Sequence, residues 1–433
     1  MTERNRELAS LIAVGALTAV GFASVYIARE AVISTASLSY AGIFLGLYLL
    51  AHVITRVKVP FADPYLLPIA GLLTAIGITE IYRLDPTDAV RQGVWVVVGV
   101  ALFALTLLWV RDYRRLEDYK YLFGLAAVGL LVLPALPVLG ATVNGARLWV
   151  KFGPLQFQPG ELAKIMLIVF LAGYLREKRE VLAQGRLKDF GPLLVIWGGA
   201  MLVLVETNDL GSALLFFGIF LAMLYAATSR LLFVGIGAAL FVGGAAGAYA
   251  LISRVSERVT IWLHPWTSHP VFCPLTGEMA LRQNCSSYQL VQSQYSIANG
   301  HFAGTGLGRG TFSTTSGHEL IPYLNTDFIY SAIAQELGLI GAAGLVLVYM
   351  LFVARGFRIS LTVDDGFSKL LALGLTFGLA LQTFIIVGGV LRIIPLTGIT
   401  LPFVSYGGSS VVANFLVLAG LLLVSNRANA PRA

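Results

Sequence analysis

The sequence predicts an all-α protein that crosses a membrane many times. Three observations carry this. Mean hydropathy is +0.80. Charged residues make up 12% of the chain, whereas a soluble domain carries about 25%. Apolar stretches of spanning length, about 17–25 residues, recur from one end to the other.

Twelve such stretches can be followed in order. The first two, 8–28 and 36–55, form a pair. The first is longer than the apolar core of a secretory signal, about 7–15 residues, and reads as an anchor that stays in the protein. Stretches 65–82, 92–110 and 121–139 come next and lead into a loop, 140–160. Stretch 161–175 is the shortest, and Pro159 just before it suits a first helical turn. Stretches 190–205, 210–228 and 231–252 end at the longest polar segment, 253–326. The last three are 328–354, 369–390 and 409–425. Between the final two lies 391–408, apolar yet rich in Pro, Gly, Ser and Thr. Non-helical backbone at membrane depth survives only where it lines a cavity or is buried in protein. This segment therefore reads as re-entrant, folded into an outward-facing cavity.

Lys and Arg set the orientation. With a cytoplasmic N-terminus and strict alternation, 19 of the 30 Lys and Arg fall inside and ten outside, with Lys164 within a span. The tight clusters at 111–115 and 176–179 all fall inside, as do Arg186 and Lys188. Both termini are then cytoplasmic. The net charge of +7 belongs to the inner rim, where it meets anionic lipid. No basic domain exists to bind nucleic acid.

The polar, motif-like segments all lie outside. Chemistry there has no cytoplasmic nucleotide to draw on, so a substrate must arrive activated, for example on a lipid diphosphate. The first segment runs through Arg147, Trp149, Gln158 and Glu161 to Lys164. Glu161 and Lys164 lie one turn apart on one helical face, at a helix start whose dipole favours an anion. They read equally as a lock between helices or as working groups. Arg147 suits bidentate grip of a diphosphate, or simple snorkelling. In the second segment Gln289, Gln292, Ser293 and Ser296 share a polar helical face. The plain alternative is an interfacial helix with no catalytic task. A glycine cluster, 304–310, follows with Arg309 inside it; it suits close approach to a ligand or a flexible turn. The third segment ends in Asn325-Thr326-Asp327. A carboxylate where a polar loop enters the bilayer is a functional candidate, with helix capping as the plain alternative. Asp209 reads as a cap. Cys273 and Cys285 share one exterior loop, which favours a disulfide; a zinc site with His264 and His269 fits no standard spacing.

These segments resemble the SEDS family of peptidoglycan glycosyltransferases, RodA and FtsW, and the chain looks RodA-like. The matching stretches are 145–149 with 157–164, 288–293, 326–338, and 395–410, which includes Pro402, Ser405, Gly407, Gly408 and Ser409. They occur in family order from about residue 65 to the C-terminus. The resemblance implies a ten-helix core over 61–433, with 1–60 an added helix pair, giving about twelve membrane helices. It implies that Asp327 is the essential aspartate and that Glu161 and Lys164 are the family's intramembrane pair. It further implies a multi-pass protein of the bacterial cytoplasmic membrane, an extracytoplasmic active site, and lipid II and the nascent glycan strand as substrates. The implied partner is a class B penicillin-binding protein. The chain departs from the family pattern at Tyr323 and Asn325, where Glu and His are usual, and at Gly160, where Ser is common. It lacks the Lys usual between the glycine cluster and residue 323, and its loop 266–288 is longer.

The expected reaction is inverting transfer onto an acceptor sugar hydroxyl, with Asp327 as general base. Arg147, Lys164 and Arg309 are the expected cations for the departing diphosphate. No cofactor is certain, and a divalent cation, Mg2+ or Mn2+, is a candidate to share that task. A flippase for lipid-linked precursors is the alternative of a different class. It would need polar groups along the whole crossing, whereas the motifs crowd the outer half. A non-catalytic scaffold for a transpeptidase is the third reading, in which Asp327 would be dispensable.

Overall fold

The computed structural model describes residues 3–30, 35–136, 139–143, 146–152, 155–183, 191–273, 276–313 and 319–431. Arg186 and Lys188 lie outside them. Fifteen α-helices lie within the described residues. In chain order they are α1 (Glu3–Glu30), α2 (Thr35–Lys58), α3 (Leu66–Leu84), α4 (Pro86–Trp109), α5 (Lys120–Val132), α6 (Pro159–Glu177), α7 (Arg179–Ala183), α8 (Gly191–Glu206), α9 (Leu210–Thr228) and α10 (Leu231–Leu251), then α11 (Ser253–Leu263), α12 (Tyr288–Asn299), α13 (Ile329–Thr362), α14 (Gly366–Val390) and α15 (Gly408–Asn429).

Each of the twelve apolar stretches coincides with a helix. Nine of the helices among the described residues are long and apolar enough to cross a membrane. The apolar helices at 120–135 and 191–206 are shorter. Helix α6 has the length, 19 residues, but carries Glu161, Lys164, Arg176 and Glu177. Helix starts follow local chemistry. The Asp85 carboxylate accepts from the amides of Thr87 and Asp88, with Pro86 opening α4. Asp209 caps α9 through the Ser212 amide, as expected, and Asp365 caps α14 through that of Ser368. Each such cap satisfies an amide that would otherwise be orphaned, worth about 1 kcal/mol.

The core lies where α14 and α15 pack among α3, α4, α6, α9 and α13. These two helices are the most enclosed, whereas α10 is almost wholly exposed, as suits a helix facing lipid. Two ends can be told apart. At one, Arg176 pairs with Glu117 and lies 4.0 Å from Asp365, and Arg355 pairs with Asp63 at 3.4 Å. At the other, about 28 Å along α6 at 1.5 Å per residue, the polar segments gather.

Two segments read as loops are more ordered than expected. The first holds a three-stranded antiparallel sheet of β1 (Gly140–Val143), β2 (Ala146–Phe152) and β3 (Leu155–Phe157). Alternating Leu148, Val150 and Phe152 carried this signal. Strands β4 (Val271–Phe272) and β5 (Met279–Ala280) pair beside a Cys273–Cys285 disulfide, Cα atoms 5.9 Å apart. The disulfide consumes both thiols, so the zinc reading falls. Gly145, in the sequence motif, lies outside the described residues.

Candidate active site

Residues 391–407 form no helix or strand. Leu401, Phe403, Val404 and Ser405 are nonetheless buried. This is the re-entrant segment the sequence suggested, and side chains from distant helices hold it. The Ser405 hydroxyl donates to the Thr326 carbonyl at 2.6 Å and accepts from the Leu401 amide at 2.9 Å. The Tyr406 amide donates to the Asn325 carbonyl at 2.9 Å. Gln92 of α4 donates to the Ser405 carbonyl and accepts from the Gly407 amide, both at 3.1 Å. Tyr349 donates to the Pro402 carbonyl, and Gly408 packs against the Trp95 ring. Ser409 accepts from the Gln158 amide at 2.8 Å. Pro402, Ser405, Gly407, Gly408 and Ser409 thus build the wall of the site and fix the backbone beside Asp327.

Ser405→Ala should therefore act at a distance. It strands a buried amide and a half-buried carbonyl, costing about 1–3 kcal/mol. We expect a lower thermal midpoint together with slower turnover, read by melting and by an activity assay.

Asp327 is not a helix cap. Phe328 occupies the cap position of α13 and makes no side-chain capping bond. Asn325 donates to Asp88 at 2.8 Å, and Thr326 to the Tyr323 carbonyl at 3.0 Å. Asp327 lies instead against the re-entrant segment. A Cβ added at Gly398, whose φ is +76°, would stand 3.5 Å from Asp327 Oδ2. Both the positive φ and this approach suit glycine. Burial pushes the Asp327 carboxyl up to about 6, while Arg258 and the Thr326 hydroxyl pull it back.

Two residues along, Thr400 joins a polar chain. Lys164 Nζ bonds Glu161 at 2.8 Å and Gln382 Oε1 at 2.6 Å, and Gln382 Nε2 donates to the Thr400 carbonyl at 2.9 Å. Both ends of the ion pair are nearly enclosed, with side-chain exposures of 5% for Lys164 and 11% for Glu161. Arg147, exposed on β2, shares a small cleft with Gln158, Gly160, Thr207 and Asp209. Asp209, raised chiefly by burial, feels the charge of both Glu161 and Arg258. Trp149 is partly buried on the same strand.

Other residues of the motif segments lie apart from Asp327 and Lys164. Ser293 of α12 bonds Ser331 of α13 at 2.6 Å, and Ser296 bonds Gln335 at 2.7 Å. That polar face is committed to helix packing, with Gln289 and Gln292 partly buried on its flanks. The glycine cluster already holds an anion of the protein itself. The amides of Gly308 and Gly310 donate to the Glu336 carboxylate at 2.6 and 3.0 Å, and Arg83 Nε adds a third donor at 3.1 Å. Arg309 is exposed in a separate cleft with Ser24, Ile27 and Ala28 of α1. It is therefore not placed with Arg147 and Lys164. Sequence reasoning missed Gln382 and Arg258. Arg258, on the amphipathic α11, donates to the Thr397 carbonyl at 3.2 Å.

No group of three or more His, Cys, Asp or Glu that could cage a metal occurs among the described residues. A Mg2+ or Mn2+ fits here only in the manner usual for Mg2+, on one or two carboxylates with a substrate diphosphate completing the shell.

Residues 61–430 match the FtsW/RodA/SpoVE family model, described as cell cycle protein. The peptidoglycan glycosyltransferase RodA of Mycobacterium bovis is 38% identical over 99% of this chain and 92% of its own. A solved structure described as "Structural coordination of polymerization and crosslinking by a peptidoglycan synthase complex" superposes with a TM-score of 0.68 at 28% identity, over 85% of this chain and 98% of that one. The rod shape determining protein RodA of Thermus thermophilus gives a TM-score of 0.60 at 26% identity, over 86% and 98%.

Proposed function

The chain belongs to the FtsW/RodA/SpoVE family, and from that premise we propose that it polymerises lipid II into peptidoglycan strands, with Asp327 at the centre of the reaction. The observation that carries the placement is the approach of Gly398 to the Asp327 carboxylate. An acidic group is held at the wall of a re-entrant segment that Gln92, Ser405 and the 325–326 backbone lock in place.

In this reading the acceptor is lipid II, and its sugar hydroxyl gives its proton to Asp327. The oxygen attacks the anomeric carbon of the growing strand from the face opposite the undecaprenyl diphosphate. The carbon–oxygen bond to the diphosphate breaks with inversion, and the leaving group takes the electron pair. Lys164 and Arg147 offset the charge that builds there, and a divalent cation carried on the diphosphate would add to this. Glu161 and Gln382 orient Lys164. The test is polymerisation of lipid II by the full-length protein with its cognate class B penicillin-binding protein. Glycan strands support the reading, and their absence from an active, folded complex removes it.

The role is in elongation and cell shape, as the names of the RodA relatives suggest. The protein is a multi-pass membrane protein of the bacterial cytoplasmic membrane with cytoplasmic termini and an extracytoplasmic site. The disulfide offers a check on sidedness. After reduction, a membrane-impermeant maleimide applied to intact cells should label Cys273 and Cys285. Labelling only after lysis would invert the topology. Without reduction neither cysteine should react.

A further inference from the structure

Helix α11 has no buried residue, yet it delivers an arginine to the site. Its end is pinned to the start of the re-entrant segment. Trp262 Nε1 donates to the Arg392 carbonyl at 2.9 Å, and Arg392 Nη2 returns a bond to the Trp262 carbonyl at 2.8 Å. The Arg392 guanidinium also lies 4.9 Å from the centre of the Trp266 ring. One turn before Trp262, Arg258 Nη1 reaches the Thr397 carbonyl. From the other side Gly211 abuts Thr397, its Cβ direction ending 3.1 Å from that same oxygen. Thr397 is thus held between α9 and α11, and the next residue is the glycine that lies against Asp327.

Resting on the reading of Asp327 as base, we propose that Arg258 is a positioning residue for it. The guanidinium clamps the Thr397 carbonyl, sets Gly398 against the carboxylate, and keeps a fixed positive charge beside the base. Arginine suits this task because it stays protonated throughout the working range and cannot compete for the proton. The other charged groups around the site are largely engaged with one another. Lys164 neutralises Glu161, Asp209 is shared between the Ser212 amide and the field of Arg258, and Asp88 is reached through Asn325. Arg254 and Glu257 of α11 act on Arg258 with opposite sign. Arg258 is the charge that acts on Asp327 itself.

The experiment is the pH profile of lipid II polymerisation by the full-length protein with its transpeptidase partner, for wild type, Arg258→Gln, Arg258→Lys and Asp327→Asn. Loss of a neighbouring opposite charge moves a carboxylate by about 1–3 pH units. Arg258→Gln should shift the acid limb upward by about one unit at the low end of that range. Arg258→Lys should return the limb to its wild-type place while turnover stays below wild type, since a point charge lacks the planar fork. A merely structural role would lower the rate equally at every pH, and an unmoved limb overturns the inference. Arg258→Met carries the same test where Arg258→Gln does not purify as a monodisperse complex. Polymerisation by Asp327→Asn would overturn the base assignment itself. An inactive Asp327→Asn beside an unmoved limb would overturn the role of Arg258 alone.

Discussion

Asp327→Asn is expected to abolish strand synthesis while leaving the fold intact. General base catalysis contributes about 10²–10⁴-fold, and Asn keeps the size of Asp without its basicity. Little stability should be lost, because the carboxylate caps no helix and the cap position belongs to Phe328. The pH profile gives an independent reading. The base works ionised, and burial raises its carboxyl to about 6. Activity should be full above that value and fall as pH drops through it, one logarithmic unit of rate per pH unit. An ordinary aspartate, near 3.9, would show no such limb above pH 5. A wild-type rate that is flat down to pH 5, or an active Asp327→Asn, would exclude Asp327 as the base.

The helices were legible because lipid imposes a simple rule: backbone must bond to itself, and side chains must be apolar. The re-entrant segment was legible for the complementary reason. Its Pro, Gly and Ser residues break a helix at a depth where only a protein-lined cavity tolerates the break. Contacts that the sequence did not show share one cause, that a polar group's partner lies far along the chain. The glycine cluster looked like a ligand cradle, and it is a cradle, but its anion is Glu336. That carboxylate lies beyond the polar loop, on the residue after Gln335, in a helix whose kink at Gly338 (φ +66°) lets residues 301–306 bond back to it. The partner of Ser293 on that polar face, Ser331, is 38 residues away. Arg258 was visible only as one exterior charge among ten. Its weight comes from Thr397, 139 residues later. The sheet was missed because its strands are short, of 4, 7 and 3 residues.

The second large effect is expected at the Glu161–Lys164 pair, and it separates a lock from a working cation. Lys164→Met leaves the Glu161 carboxylate nearly enclosed and unpaired. Removing one partner of such a pair costs about 3–5 kcal/mol, so the purified protein should melt far earlier and make no strands. Glu161→Gln in the same chain removes the stranded charge. Replacing both members of a buried pair is often close to neutral, so Glu161→Gln with Lys164→Met should recover most of the lost stability. Activity should not return, because the diphosphate would still lack the ammonium that Gln382 and the Thr400 carbonyl hold in register with the re-entrant segment. Melting temperature and strand synthesis, measured on the same preparations, decide the matter. A double variant that regains both stability and polymerisation would make the pair a helix lock, and the charge on the leaving group would then have to be met by Arg147.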